Sequence, residues 1–258
     1  MSKIFRLSFF ILFLTNALMA QDQSSAPAEE SDLKDYNALL IAPAFTASYT
    51  LGTLGERFGF MGNVGLNLGY NFRRNWQIGV EGCFLFTNQV KEVNLLNSIA
   101  TSTGSFISLN GELVTVKLQG RGYIGRFFFG KTIPIKKEKP GNGIMLQSSL
   151  GVVAHQILIN VREDVLPQLN KTYRKGYDRL GVGPVFSQFI GYTMLEKKKF
   201  FNFYAGFQAE IFLSRGMRPV DFDTGRKNNA WIIGFLPGFK IGYYIPVFIN
   251  TGKNDFYY

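Results

Sequence analysis

The chain has 258 residues, 46% hydrophobic and 16% aromatic but only 18% charged, with a formal net charge of +10 and one cysteine, Cys83. One cysteine excludes a disulfide framework, and its position, far beyond the first apolar run, excludes a lipoprotein anchor. No segment after residue 20 approaches the roughly 20 consecutive apolar residues of a membrane helix, so the hydrophobicity belongs to a large sandwich or a membrane barrel.

In chain order, MSKIFRLSFFILFLTNALMAQ places Lys3 and Arg6 before an apolar run from Leu7 to Leu14, with small residues at Ala17 and Ala20. That is the pattern of a secretory signal peptide over residues 1–20. The polar, acidic QDQSSAPAEESDLKDY that follows reads as a disordered leader over 21–36, leaving 37–258 as one domain.

From there a two-residue period recurs. A weak copy over Leu39–Leu51 is followed by MGNVGLNLGYNF, where Val64, Leu66, Leu68, Tyr70 and Phe72 oppose Asn63, Gly65, Asn67, Gly69 and Asn71. WQIGVEGCFLFT sets Trp76, Ile78, Val80, Phe84 and Phe86 against Gln77, Gly79, Glu81, Cys83 and Thr87. LVTVKLQGRGYIG is read with Val114, Val116, Leu118 and Ile124 outward and Thr115, Lys117, Gln119, Arg121 and Tyr123 inward. Weaker copies over Met145–Ile159 and Val182–Tyr192 precede FFNFYAGFQAEIF, with Tyr204, Gln208 and Glu210 inward, and WIIGFLPGFKIGY, with Gly234, Gly238, Lys240 and Gly242 inward. Strict alternation over such lengths predicts about eight strands with two unlike faces.

The polarity decides between sandwich and barrel. Phe, Val, Ile and Leu facing outward, with Asn, Gln, Gly and a few charges inside, fit a sheet whose external solvent is lipid. Such a sheet must close, because unpaired backbone groups in hydrocarbon cost several kcal/mol each. The reading is therefore an all-β, transmembrane, antiparallel up-and-down barrel. Trp76, Tyr70, Phe72, Trp231 and Tyr243 supply its interfacial aromatics. Connections alternate long and short, with KTIPIKKEKPGNG the one oversized turn, which places both termini on the periplasmic side.

Two groups of residues are candidates for function. Glu81, Lys117, Arg121, Glu210 and Lys240 are expected to form a lumen charge network, since unpaired charge in a dry interior costs several kcal/mol. The short turns gather Arg73, Arg74, Lys136, Lys137, Lys139, Lys197, Lys198 and Lys199, either a solvated rim or a periplasmic docking surface for a partner or for anionic headgroups. The basic excess points to outer-membrane lipids and lipopolysaccharide, and no nucleic-acid partner is expected. Ser149 and His155 share a face but lie about 20 Å apart along an extended strand, and no G-x-S-x-G is present, so no catalytic residues are assigned. One His and one Cys make no standard metal cluster, and no cofactor is implied. DFDTG at 221–225 reads as turn chemistry.

KGYDRL (175–180), FIGY (189–192), NFYAGF (202–207), FDT (222–224) and the terminal FYY are the residues on which the chain resembles outer-membrane barrels of the kind common in Bacteroidetes, near the small OmpX-like and PorT-like groups. KIGYYIPV (240–247) is similar to the C-terminal β-signal read by the barrel assembly machinery. The resemblance implies architecture and an outer-membrane location. The function expected is non-enzymatic: structural, adhesive, or accessory to a larger secretion or assembly complex. A narrow channel and a lipid A-modifying hydrolase are the alternatives.

Overall fold

The computed structural model describes residues 37–249 except 73, 74, 93, 102, 103, 137, 138, 162–165, 197–200 and 227–229. The expected signal peptide, the leader and the terminal FYY lie outside the described residues.

Among the described residues, eight long strands follow one another in an antiparallel meander. They are β1 (Asn37–Tyr49), β2 (Phe60–Phe72), β3 (Trp76–Thr87), β4 (Lys117–Pro134), β5 (Gly143–Asn160), β6 (Gly181–Met194), β7 (Phe203–Gly216) and β8 (Trp231–Tyr243). Each pairs with its chain neighbours, and β8 returns to β1 through Phe45↔Ile241 and Ala47↔Phe239, closing an up-and-down barrel. An extension of β8, Ile245–Ile249, continues along β1 to Asn37. The ladder skips only where Pro43 has no N–H to give, and there Tyr244 turns its own N–H to the Asn202 carbonyl (2.7 Å).

The sheet is inside out over its middle. Val64, Leu66, Leu68, Ile78, Val80, Phe127, Phe129, Leu150, Ile190, Phe207, Phe239 and Ile241 are exposed on the outer face, while Asn63, Asn67, Asn71, Gln77 and Gln208 are buried inside. Trp76 stacks on Phe129 at 4.7 Å with Lys131 Nζ 4.8 Å from its ring, and Tyr70 stacks on Phe72, so the turn end carries part of the expected aromatic girdle. Trp231 and Tyr123 are exposed towards the loop end.

Two expectations change. The turn after β4 is not oversized: β4 and β5 are each 18 residues long, and their ladder runs from Lys117↔Asn160 to Pro134↔Gly143, leaving 135–142 as the turn. The facing of β4 is also the reverse of the reading. Ile124 is buried inside and Tyr123 is exposed outside, which turns Lys117 and Arg121 to the outer face as well. Leu113 and Val114 belong to a separate hairpin with Phe106 and Ile107, so the run LVTVKLQGRGYIG spans two elements. Val116 and Leu118 are apolar because they pack on a loop core beyond the lipid belt, where the inside is the apolar side.

A ring with no open edge resists detergent until its ladder melts. The purified protein is expected to run faster on gels unheated than boiled. Identical mobility of the two samples would contradict a closed barrel.

Candidate functional site

The barrel interior holds a buried charge cluster at mid-height. Asn67, Glu81 and Arg126 stand side by side on β2, β3 and β4, because the registers Asn67↔Glu81 and Glu81↔Arg126 put them directly opposite one another. Arg126 Nε donates to Glu81 Oε2 (2.7 Å) and its Nη1 to Glu210 Oε1 (2.5 Å) and Ser187 Oγ (3.2 Å). Lys240 Nζ donates to Glu81 Oε1 (2.7 Å). The Asn67 amide, oriented to accept from the Tyr204 hydroxyl (2.6 Å), donates to Glu81 at 3.0 Å, and Gln208 donates to Glu210. Two carboxylates, one guanidinium and one ammonium sum to zero charge, and all four side chains are at least 97% buried. Gly151 opposes Arg126, and a Cβ there would lie 2.1 Å from the Gly125 carbonyl oxygen and 2.5 Å from Arg126 Cα and Cβ, so a glycine is what lets the two strands approach at this point.

Glu81, Glu210 and Lys240 thus occupy the expected network. Lys117 and Arg121 do not. Lys117 is exposed, and Arg121 bonds Gln119 Oε1 (2.8 Å) and the Gly120 carbonyl (2.9 Å) on the outer face. The cation missed is Arg126, whose position opposite Glu81 is a matter of register and not of strand parity alone. Above and below the cluster apolar side chains share the interior with polar ones: Leu85, Ile124, Val153, Val185 and Phe212 with Asn63 towards the loops, and Leu40, Met145, Phe189 and Tyr244 with Asn71 and Gln77 towards the turns.

A second network lies at the loop end. Arg179, held at a φ of 52°, joins three loops: it bonds Glu92 (3.1 Å) from the β3–β4 connection and both Asp221 and Asp223 from the β7–β8 connection. Arg57, from the β1–β2 connection, reaches the same Glu92 (2.9 Å), and Arg218 pairs with Asp178. Burial works against the charge of Arg179, yet Glu92, Asp221 and Asp223 outweigh it and hold its pKa above the ordinary value. For Arg57 burial prevails and lowers it. The rings follow the charges: Phe222 meets Tyr177 edge-on at 5.6 Å, and its N–H bonds the Gly176 carbonyl (2.9 Å). GYDR at 176–179 and DFD at 221–223 therefore form one contact, which their separation in the chain did not reveal. Beneath it Leu54, Phe58, Leu95, Leu96, Phe106, Leu166 and Leu169 seal the barrel mouth.

Ser149 and His155 are not a pair. Ser149 Oγ bonds Ser187 Oγ (2.5 Å), whereas His155 Nε2 lies 2.8 Å from Ser214 Oγ. That second pair has the distance of a nucleophile and its base, but Ser214 is fully buried and His155 is 2% exposed, so no substrate reaches it in this conformation. Among the described residues no group of three or more His, Cys, Asp or Glu could hold a metal. Of the basic turn residues, Lys136 and Lys139 are exposed at the β4–β5 turn. Arg73, Arg74, Lys137, Lys197, Lys198 and Lys199 lie outside the described residues.

An apolar belt outside and a neutralised, filled interior define the class: an eight-stranded transmembrane β-barrel. No protein-family model matches the chain, and no curated protein matches it. Among solved structures it is similar to Ail, the attachment invasion locus protein of Yersinia pestis, in complex with the heparin analogue sucrose octasulfate, at 9% identity over 82% of this chain and 99% of that one, with a TM-score of 0.43. A second structure of Ail gives 11% identity over 82% and 99%, TM-score 0.40, and Neisserial surface protein A gives 7% over 80% and 96%, TM-score 0.39.

Arg126→Met leaves two buried carboxylates facing one ammonium and is expected to cost about 3–5 kcal/mol, read from denaturant unfolding in micelles. Lys117→Ala and Arg121→Ala should each stay within about 0.5 kcal/mol. Arg179→Ala should leave the heat-modifiable barrel intact while raising the rate of loop proteolysis, by an opening that becomes about 2 kcal/mol easier.

Proposed function

We propose that this chain is a bacterial outer-membrane barrel without enzymatic activity, whose membrane part is an anchor and whose loop end is a binding platform. It serves in adhesion or as an accessory subunit of a larger outer-membrane complex. The observation that carries this reading is an exposed apolar surface on the tethered loops. Ile107, Leu109 and Leu113 project from the hairpin at 106–114, and Tyr173, Met217, Val220 and Phe222 project around the Arg179 network. These side chains lie beyond the lipid belt, where water is the solvent. An apolar patch kept in water marks a site for another molecule, and loops already ordered by ion pairs lose less entropy when it binds. The filled interior speaks against the channel alternative, and the closure around His155 and Ser214 against the hydrolase.

In this reading the turn end, where Asn37 pairs with Ile249, faces the periplasm, and Lys136 and Lys139 lie beside the inner leaflet. Two measurements test it. Reconstituted protein should pass no stable unitary current in planar bilayers; steady currents would restore the channel. In a Cys83→Ser background, Asn110→Cys at the hairpin tip should react with an impermeant maleimide on intact cells, and Lys136→Cys only after the outer membrane is opened. The reverse pattern would invert the orientation and remove the platform.

A further inference from the structure

The β4–β5 turn does not simply reverse the chain. It leans over the outer face of the barrel wall and, with the end of β6, encloses a recess of about 240 Å³. One wall is apolar: Ile135 (64% exposed), Tyr192 and Met194, the last two on the lipid-facing parity of β6 with Ile190. Lys136 and Lys139 bring two cations to the same lining, together with Asn142 and Glu196. Lys139 Nζ is 3.3 Å from Glu196 Oε1, and that carboxylate also accepts from Asn142 Nδ2 (2.5 Å). The recess therefore keeps a net positive charge at the lower edge of the apolar belt, where Ile144, paired with Tyr192 in the ladder, continues the greasy surface upward.

An apolar wall running up into hydrocarbon from a pair of ammonium groups is complementary to a molecule with an acyl chain and a phosphodiester. We infer that this recess is a binding site for an anionic glycerophospholipid, with the headgroup phosphate between Lys136 and Lys139 and an acyl chain along Tyr192 and Ile190. The choice of a glycerophospholipid over a phosphorylated glycolipid of the outer leaflet rests on the periplasmic orientation proposed above. Glu196 limits the affinity, because it neutralises part of Lys139 and repels the phosphate.

The test uses the protein purified from membranes in mild detergent and native mass spectrometry, with phosphatidylglycerol, phosphatidylcholine, lipid A and inorganic phosphate as probes. Phosphatidylglycerol is expected to bind about 10-fold more tightly than phosphatidylcholine, since each lysine at an anionic surface contributes roughly five-fold and Glu196 offsets part of it. The Lys136→Ala/Lys139→Ala double variant should lose this preference, Glu196→Gln should tighten binding about three-fold, and Lys91→Ala at the loop end should change nothing. Both lysines are exposed, and retained heat-modifiability verifies that each variant is folded. An unchanged preference in the double variant overturns the site. Displacement by inorganic phosphate at equal concentration would make it a free-phosphate site, and tighter binding of lipid A would place it in the other leaflet; either result overturns the lipid named. Maleimide labelling of Lys136→Cys on intact cells would overturn the orientation and with it the choice of a glycerophospholipid, whereas lysine-dependent preference for anionic lipid in detergent would still support the recess as the site.

Discussion

The pairing of β1 with β8 is the constraint on which the rest depends, because a strand edge left open in hydrocarbon strands a row of amides and carbonyls at several kcal/mol each. Closure with eight strands then fixes the width, and an interior of that size admits side chains and little else. Gly151, opposite Arg126 on the neighbouring strand, illustrates how close the wall is: a Cβ there would lie 2.1 Å from the Gly125 carbonyl oxygen and 2.5 Å from Arg126 Cβ. The charge cluster follows from closure, since Glu81 on β3 reaches Lys240 on β8 only across a closed ring.

Each long strand passes through two solvents. About 9–11 residues suffice to cross the apolar belt, and β4 and β5, at 18, continue well past it. Within the belt Phe127 and Phe129 face lipid while Arg126 is inside; beyond it Lys117, Gln119 and Arg121 face water while Leu118 packs inward. The same face of β4 is apolar at one end and polar at the other, so one polarity rule applied along the whole strand assigns its facing wrongly.

The loops are folded as a soluble protein folds, with leucines and phenylalanines beneath and ion pairs above. Arg179 gathers Glu92, Asp221 and Asp223 from loops that share no strand, which gives the loop end a defined shape without help from the membrane. In the proposed platform, that order is what would let an exposed set such as Ile107, Leu109 and Leu113 serve as one surface at a lower entropic cost on binding.

The sequence by itself determined the strand number and the inward faces of β2, β3, β7 and β8. In those strands the alternation of Asn, Gln or Gly with Phe, Leu or Ile records a lipid on one side and a packed interior on the other. It also supplied Glu81, Glu210 and Lys240, since a charge on the interior parity of a lipid-facing strand must be paired inside. Only the tertiary structure decided which cation stands opposite Glu81, because register is set by the ladder and the loop end, and a strand preceded by a hairpin offers no local mark of where it begins. It alone joined GYDR to DFD and formed the recess at the β4–β5 turn, since contacts between residues tens of positions apart arise from barrel closure and leave no periodic trace in the chain.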